Sequence, residues 1–345
     1  MPPLNVYDYE ALAAERLETG AHGYYAGGSG DELTLRDNVA AYRRWQLRPR
    51  VLVDVAGCTT ATTVLGHDVS MPLLVAPVAF QRAAHPDGEV GMARAVKDAG
   101  TIMCLSTMTT STFDEVAATD VPRWFQLYVF RDFALTEDLV VRARDAGFTA
   151  LVLTVDTPVL GRRERDFRTG FTIPYPIVSL GEKGLTPAEA FALCSQSVSW
   201  RDIERLSSIS GLPVIVKGVI TAEAGRLACE HGAAAVVVSN HGGRQLDGVS
   251  ATIDALPEVA EAVDGRIEVL VDGGIRRGAD VVKALALGAR AGLVGRPALW
   301  GLACDGEAGA RHVLGLLQDE ILLALKLVGC VSPDDVTRDR VQRAP

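Results

Sequence analysis

Cysteine is sparse and dispersed in this chain. Cys58, Cys104, Cys194, Cys229, Cys304 and Cys330 are the whole complement, and no two stand at Cys-x-x-Cys spacing. That leaves no disulfide framework and predicts reduced thiols, a cytoplasmic protein and no bound metal. Long apolar runs are missing too: none reaches the roughly 18 residues that span a bilayer. The opening Met1-Pro2-Pro3-Leu4-Asn5 has neither the basic nor the apolar region of a secretory signal, so no membrane association is expected. Positive charge is in deficit, with 34 Lys and Arg against 43 Asp and Glu and a net charge of -9. A nucleic-acid partner is therefore not expected, and any anionic ligand must be met by a local group of cations. Low-complexity tracts are absent as well. At 48% hydrophobic and 22% charged, the composition is that of an ordinary globular enzyme with a large core.

What the chain has instead is one unit repeated. Eight apolar runs recur from residue 73 onward: Leu73 to Ala76, Ile102 to Leu105, Trp124 to Tyr128, Ala150 to Val155, Val214 to Val216, Ala235 to Val238, Val269 to Val271 and Gly292 to Val294. Segments of helical period lie between them. Several end in the same punctuation, Ala99-Gly100, Ala146-Gly147, His231-Gly232 and Leu287-Gly288, each a glycine C-cap before the next strand. Strand and helix alternating eight times predicts an α/β fold, the (β/α)₈ TIM barrel. A doubly wound sheet would carry Gly-x-Gly-x-x-Gly after its first strand, where this chain reads Ala76-Pro77-Val78-Ala79.

The expectation is a single domain, with residues 1–70 as an N-terminal cap, 71–300 as the barrel and 301–345 as C-terminal helices. In the cap, Tyr9, Leu12, Ala13 and Leu17 recur at helical spacing, and Leu33 to Trp45 gives a second amphipathic stretch. Tyr24 to Gly30 between them is too rich in glycine for a helix interior. Thr59 to Val69 predicts a short hairpin turning at Gly66 and closing one end of the barrel. From about 168 to 198 periodicity fades and Pro174, Pro176 and Pro187 appear; a loop this long after the fourth strand reads as a lid.

Chemistry-bearing residues gather where the strands end, which in a barrel is one mouth. Ser239-Asn240-His241-Gly242-Gly243-Arg244-Gln245-Leu246-Asp247 follows the sixth strand and presents an imidazole and a guanidinium from one tight loop. The other strand ends add Ser106, Gln126, Tyr128, Thr154, Asp156, Arg163, Lys217, Asp272, Arg276 and Arg296. Asp272-Gly273-Gly274-Ile275-Arg276 and Gly295-Arg296 occupy the place where barrels hold phosphate on glycine amides. Lys217 admits three readings: a Schiff-base amine as in an aldolase, a cation beside a flavin, or a structural partner of a carboxylate. Asp156 is either that carboxylate or the partner of His241. Tyr24, read alone, is a packing residue.

These motifs resemble those of the FMN-dependent L-2-hydroxy-acid oxidases and dehydrogenases. The likeness runs over almost the whole chain and includes Ala84-His85-Pro86-Asp87-Gly88-Glu89, Phe125-Gln126-Leu127-Tyr128 and Leu153 to Pro158 beside the histidine loop. It implies that His241 is the base, that Asp156 pairs with it, and that Arg163 and Arg244 hold the substrate carboxylate. Tyr24 and Tyr128 then bring hydroxyls to the substrate. FMN is expected on Pro77, Val78 and Ala79, with Ser106, Gln126, Thr154, Lys217 and Ser239 around its ring and ribityl chain. Its phosphate falls to Gly274, Arg276, Gly295 and Arg296, and Asp272 and Gly273 are also expected to bind the cofactor. Met108 stands where glycolate-oxidising members carry a tryptophan, which predicts room for side chains larger than hydrogen. The resemblance further implies a small 2-hydroxy acid as substrate, O2 as the final acceptor giving H2O2, and a homo-oligomer, a tetramer or larger. A dehydrogenase with another acceptor, or an aldolase using Lys217, is the alternative.

Overall fold

Asn5 starts the first helix: its side-chain oxygen accepts from the backbone N–H of Tyr7 at 2.8 Å and of Asp8 at 3.2 Å, capping α1 (Val6–Arg16). The computed structural model describes residues 2–179 and 185–345. After α1 the structure departs from expectation. A second helix, α2 (Thr19–Ala26), runs through Gly20 and Gly23 and carries both Tyr24 and Tyr25. Intrinsic propensity is overridden here by tertiary packing: a Cβ at Gly20 would stand 3.1 Å from the Phe171 ring, so the glycine lets that aromatic close on the helix. The cap continues with α3 (Leu33–Ala40) and β1 (Trp45–Leu47).

The expected hairpin is present as β2 (Thr62–Val64) and β3 (His67–Val69), antiparallel. Its Val64 and Val69 join the side chains inside the barrel, sealing the end opposite the mouth. Eight parallel strands then close on one another: β4 (Leu73–Val75), β5 (Met103–Leu105), β6 (Arg123–Leu127), β7 (Leu151–Thr154), β8 (Val214–Val219), β9 (Ala235–Val238), β10 (Glu268–Asp272) and β11 (Ala291–Val294). Each pairs with the next, and β11 returns to β4. The apolar runs lack polar alternation because both strand faces are buried. Leu74, Val152, Val237 and Leu270 point into the barrel, while Leu73, Leu151, Val236 and Val271 pack in the outer core with the helices.

The outer layer comprises α4 (Gly88–Asp98), α5 (Phe113–Ala117), α6 (Phe133–Asp145), α7 (Glu164–Thr169), α8 (Pro187–Phe191), α9 (Arg201–Ser210), α10 (Ala222–Glu230), α11 (Thr252–Val263), α12 (Gly278–Ala286) and α13 (Arg296–Val328). The glycines at 100, 147, 232 and 288 all have positive φ, from 65° to 104°, as C-capping requires. The last strand, β12 (Val341–Arg343), pairs with β1 and ties the tail to the cap. The expected lid falls on α7, α8 and the chain around them; residues 180–184 of it lie outside the described residues. No helix among the described residues is long and apolar enough to cross a membrane.

Candidate active site

His241 has a left-handed backbone, φ 58°, at the carboxyl end of β9. A non-glycine residue adopts that conformation only where its surroundings enforce it. Here the cap enforces it. Ser29 N–H donates to Gly243 O at 2.9 Å, the Asp247 carboxylate accepts from the N–H of Leu33 and Thr34, and the amides of Asn38 and Asn240 exchange two hydrogen bonds of 2.8 Å. The histidine loop is therefore held from outside the barrel by α3 and the turn at Ser29 that precedes it.

The imidazole is oriented from behind. Nδ1 lies 3.0 Å from Asp156 Oδ1, at the end of β7, and Thr157 Oγ1 donates to the same carboxylate oxygen at 2.8 Å. Burial acts to raise the Asp156 pKa, but the attraction and hydrogen bond of His241, together with Lys217 and Thr157, outweigh it and hold the group at about 2. An ionised carboxylate only accepts, so Nδ1 carries the proton and Nε2 is the basic nitrogen. Nε2 is 3.5 Å from the Tyr128 hydroxyl. Burial lowers the pKa of His241 from its ordinary value, more than Asp156 raises it, so the resting ring is neutral near pH 7.

Lys217 is not the free amine that Schiff-base chemistry needs. Its Nζ lies 3.2 Å from Asp272 Oδ2 and donates to Ser239 Oγ at 2.9 Å. Burial acts to lower its pKa, yet Asp272 and Asp156 prevail and raise it, keeping the ammonium charged. Asp272, then, is the structural partner of Lys217, and Asp156 belongs to His241. Ser106, Gln126 and Thr154 link three neighbouring strands: Ser106 Oγ donates to Gln126 Oε1 at 3.2 Å and Gln126 Nε2 to Thr154 Oγ1 at 3.0 Å.

One cleft collects these groups. Its wall includes Tyr24, Pro77, Val78, Ala79, Ser106, Met108, Gln126, Tyr128, Arg163, Lys217, His241, Arg244, Asp272, Gly273, Gly274, Arg276, Gly295 and Arg296. Asp156, Thr154 and Ser239 stand behind the wall and act through the residues they touch. Sequence reasoning missed Tyr25, Phe80, Leu160, Pro187, Ala190 and Phe191, which also line it. The last three come from α8 of the lid, where Phe191 meets the Tyr128 ring edge-on at 4.9 Å. Tyr24 stacks on Phe171 at 5.2 Å, so it both packs and borders the cleft.

Four buried or half-buried guanidiniums make the cleft strongly cationic within an acidic protein. Among the described residues Arg163 donates only to Arg244 O and Gln245 Oε1, both at 3.4 Å, and burial followed by the neighbouring Arg244 lowers its pKa to about 10. Arg244 lies over the Tyr24 ring, 4.6 Å from its centroid, and donates to the Tyr24 and Gly27 carbonyls. Arg296 donates to the carbonyls of Tyr25, Gly242 and Gly27, and burial beside Arg244 and Arg276 pushes its pKa well down. Arg276 has a buried Nε with no hydrogen-bond partner among the described residues. The carboxylate nearest them, Glu10, reaches only Arg276, at 3.7 Å, and guanidiniums crowded together with so little negative charge are costly unless an anion joins them.

The residues at this end of the cleft fit a flavin phosphate. Gly274 has φ 85°, and a Cβ there would collide with Asn38 O, so only glycine leaves its amide bare toward the cleft. Gly295 and Arg296 open α13, whose first amides and dipole favour an anion. Arg276 Nε, which makes no hydrogen bond among the described residues, points to the same requirement.

Comparison with known proteins agrees. The profile of the family described as FMN-dependent dehydrogenase matches residues 13–343. The chain belongs to the FMN-dependent dehydrogenase family. Its cofactor is FMN. Among relatives, glycolate oxidase 3 of Arabidopsis thaliana is 50% identical, over 98% of this chain and 95% of its own length. L-lactate oxidase of Nostoc sp. is 49% identical, over 97% and 96%. A solved structure of mandelate oxidase with (S)-4-hydroxymandelic acid superimposes with a TM-score of 0.95 at 41% identity, covering 99% of both chains. Membership of an FMN-dependent family removes the aldolase reading that Lys217 had left open.

Proposed function

We propose that this flavoenzyme oxidises an (S)-2-hydroxy acid to the 2-oxo acid, with His241 as the base and O2 as the final electron acceptor, giving H2O2. The observation that carries this reading is the anchoring of His241 Nδ1 on Asp156, which leaves a basic Nε2 in the same cleft as Arg163 and Arg244. Bound FMN supplies a two-electron acceptor. The two guanidiniums hold the substrate carboxylate and fix the hydroxyl-bearing carbon beside the imidazole. His241 takes the proton the substrate releases, and Asp156 stabilises the resulting imidazolium. Tyr128 and Tyr24 steady the substrate oxygen. Pro77, Val78, Ala79, Ser106, Gln126 and Lys217 would border the flavin, with Lys217 placing a fixed cation beside it. Gly274, Arg276, Gly295 and Arg296 would hold its phosphate.

Met108, Leu160, Ala190 and Phe191 give the cleft apolar lining, which supports acceptance of a substrate side chain larger than hydrogen. The naming of the relatives as oxidases supports oxygen as acceptor. An assembly of several copies belongs to the same proposal. It is supported by exposed Val51 and Leu52 beside exposed Leu327 and Val331, where Arg50 N–H donates to Val328 O at 3.0 Å; light scattering checks it.

The test is anaerobic mixing of the holoenzyme with (S)-mandelate, L-lactate and glycolate. Loss of the oxidised flavin's visible absorbance, its return on admitting oxygen, and peroxide matching the turnover are expected. Absorbance unchanged by every member of the panel would overturn the reading. Bleaching that oxygen does not reverse would transfer the enzyme to the dehydrogenases.

A further inference from the structure

Glu89, the second residue of α4, has a side chain wholly withdrawn from solvent. Its hydrogen-bond partners among the described residues are all neutral. Oε1 accepts from the backbone N–H of Gln81 at 3.1 Å and of Thr110 at 2.9 Å. Oε2 accepts from the hydroxyls of Thr110 at 2.6 Å and Ser111 at 3.0 Å. Burying a carboxylate is expensive, and four donors aimed at one group are what offsets it.

Those donors come from two loops that shape the cleft. Gln81 closes the loop after β4, directly past Phe80, and Thr110 and Ser111 close the loop after β5, directly past Met108. The loops also touch each other, since Phe80 N–H donates to Met108 O at 3.0 Å. Phe80 holds a left-handed φ of 58° while its carbonyl accepts from the Tyr25 hydroxyl at 2.5 Å. The lid hangs from the same place, with Val178 N–H donating to Thr109 O at 3.0 Å and Ser179 Oγ to Thr107 O at 2.5 Å. Glu89 lies outside the lining of the cleft, yet each of its two oxygens engages this network and together they join both loops; the Thr110 hydroxyl adds a second link by accepting from the Arg82 N–H at 3.3 Å.

We propose that Glu89 is a positioning residue for substrate selection: its carboxylate holds the Phe80 and Met108 loops in register and so sets the shape of the apolar wall that those two side chains give the cleft. This rests on the oxidation reading above. The two oxygens of Glu89 differ in what they demand. The backbone N–H groups at Oε1 only donate, whereas the hydroxyls at Oε2 can turn and accept. A glutamine therefore satisfies the same geometry, its amide oxygen facing Gln81 and Thr110 and its amide nitrogen facing the hydroxyls. A methionine of similar length leaves both backbone donors buried and unpaired.

The experiment compares Glu89→Gln and Glu89→Met holoenzymes for the ratio of kcat/KM on (S)-mandelate to that on L-lactate, for the visible band of the bound flavin, and for FMN dissociation from the apoprotein. The Gln variant is expected to stay within about twofold of the parent in each. The Met variant is expected to change the ratio about tenfold or more, chiefly through KM, and to displace the flavin band. A Gln variant as impaired as the Met variant overturns the proposal, because negative charge rather than loop register would then be the requirement. A Met variant with an unaltered ratio and band overturns it too. Should the Met variant fail to fold, Ser111→Ala, which removes one donor and leaves the carboxylate in place, must move the ratio in one direction by a smaller amount; an unchanged ratio sinks the idea. If the parent enzyme reduces its flavin with no hydroxy acid, the oxidation reading fails separately, and the flavin band and FMN dissociation still judge Glu89.

Discussion

Gly218 lies directly against Asp156. A side-chain carbon at 218 would stand 2.7 Å from Asp156 Cβ, and φ at this glycine is 116°, a region closed to other residues. The ladder between β8 and β9 slips between Lys217 and Val219, so this irregularity makes the space in which the carboxylate meets His241. Lys217 and Asp156, on opposite sides of the glycine in function, depend on the same bulge.

Gly218→Ala is accordingly expected to displace Asp156 and misalign the imidazole. Misplacement of about 1 Å costs on the order of 10²-fold in rate. The variant should lose kcat at least tenfold on that scale while binding a substrate analogue nearly as well. Steady-state kinetics beside inhibitor binding checks this, and a purely KM-borne defect would contradict it.

The pH dependence follows from two shifts of known direction. Asp156, at about 2, stays ionised throughout any practical assay range, so the acid limb of kcat/KM belongs to His241. Burial lowers the His241 pKa below its ordinary value, hence the neutral base persists to mildly acidic pH and activity falls only as pH drops through that lowered value. Asp156→Asn removes a group that raises the His241 pKa, so the limb moves to still lower pH. The amide also favours the wrong tautomer, and kcat should fall by about 10² to 10⁴. A limb that moves upward in this variant would show that another group controls it.

Lys217→Met tests the buried ion pair. The substitution leaves Asp272 charged and enclosed, with Oδ1 already lacking a partner. Breaking such a pair from one side costs about 3–5 kcal/mol. Thermal unfolding should show it as a large drop in Tm. Borohydride added with carbonyl substrates should trap nothing on the parent lysine, because its ammonium is held charged.

How much of this was legible beforehand depends on the range of each interaction. The barrel was readable because its strands are buried on both faces and its helices end at glycine, and both are local patterns. His241, the phosphate turns and the strand-end polar residues were readable because a barrel delivers every strand end to one mouth. The partner of Lys217 was not, since Asp272 stands on a strand two positions around the barrel and no spacing distinguishes it from Asp156. The helix that carries Tyr24 was not legible because local glycine content says nothing about Phe171, which makes that helix worthwhile by packing on it. Phe191 and Ala190 escaped notice because the lid has no periodicity to reveal which of its residues face inward. Glu89 was noted only within a motif, and its four donors come from loops whose meeting is a property of the closed barrel.

Arg163 should behave in the opposite sense from Lys217. It is buried, burial and Arg244 depress its pKa to about 10, and its only hydrogen bonds among the described residues are two long ones to a carbonyl and an amide. Removing it relieves a crowded cation and orphans no carboxylate among the described residues, so Arg163→Met should leave the Tm of the substrate-free enzyme unchanged or slightly higher. The substrate carboxylate, by contrast, loses one of its two guanidiniums, an interaction worth about 2–5 kcal/mol when desolvated. KM should therefore rise by about 10²-fold, at 1.4 kcal/mol per factor of ten, with a smaller change in kcat. Arg244→Met should match it in KM but also lower the Tm, because Arg244 fastens the carbonyls of Tyr24 and Gly27. Calorimetry beside kinetics on the two variants separates the roles. Equal losses of stability would mean that Arg163 is held in place by structure rather than kept for an anion.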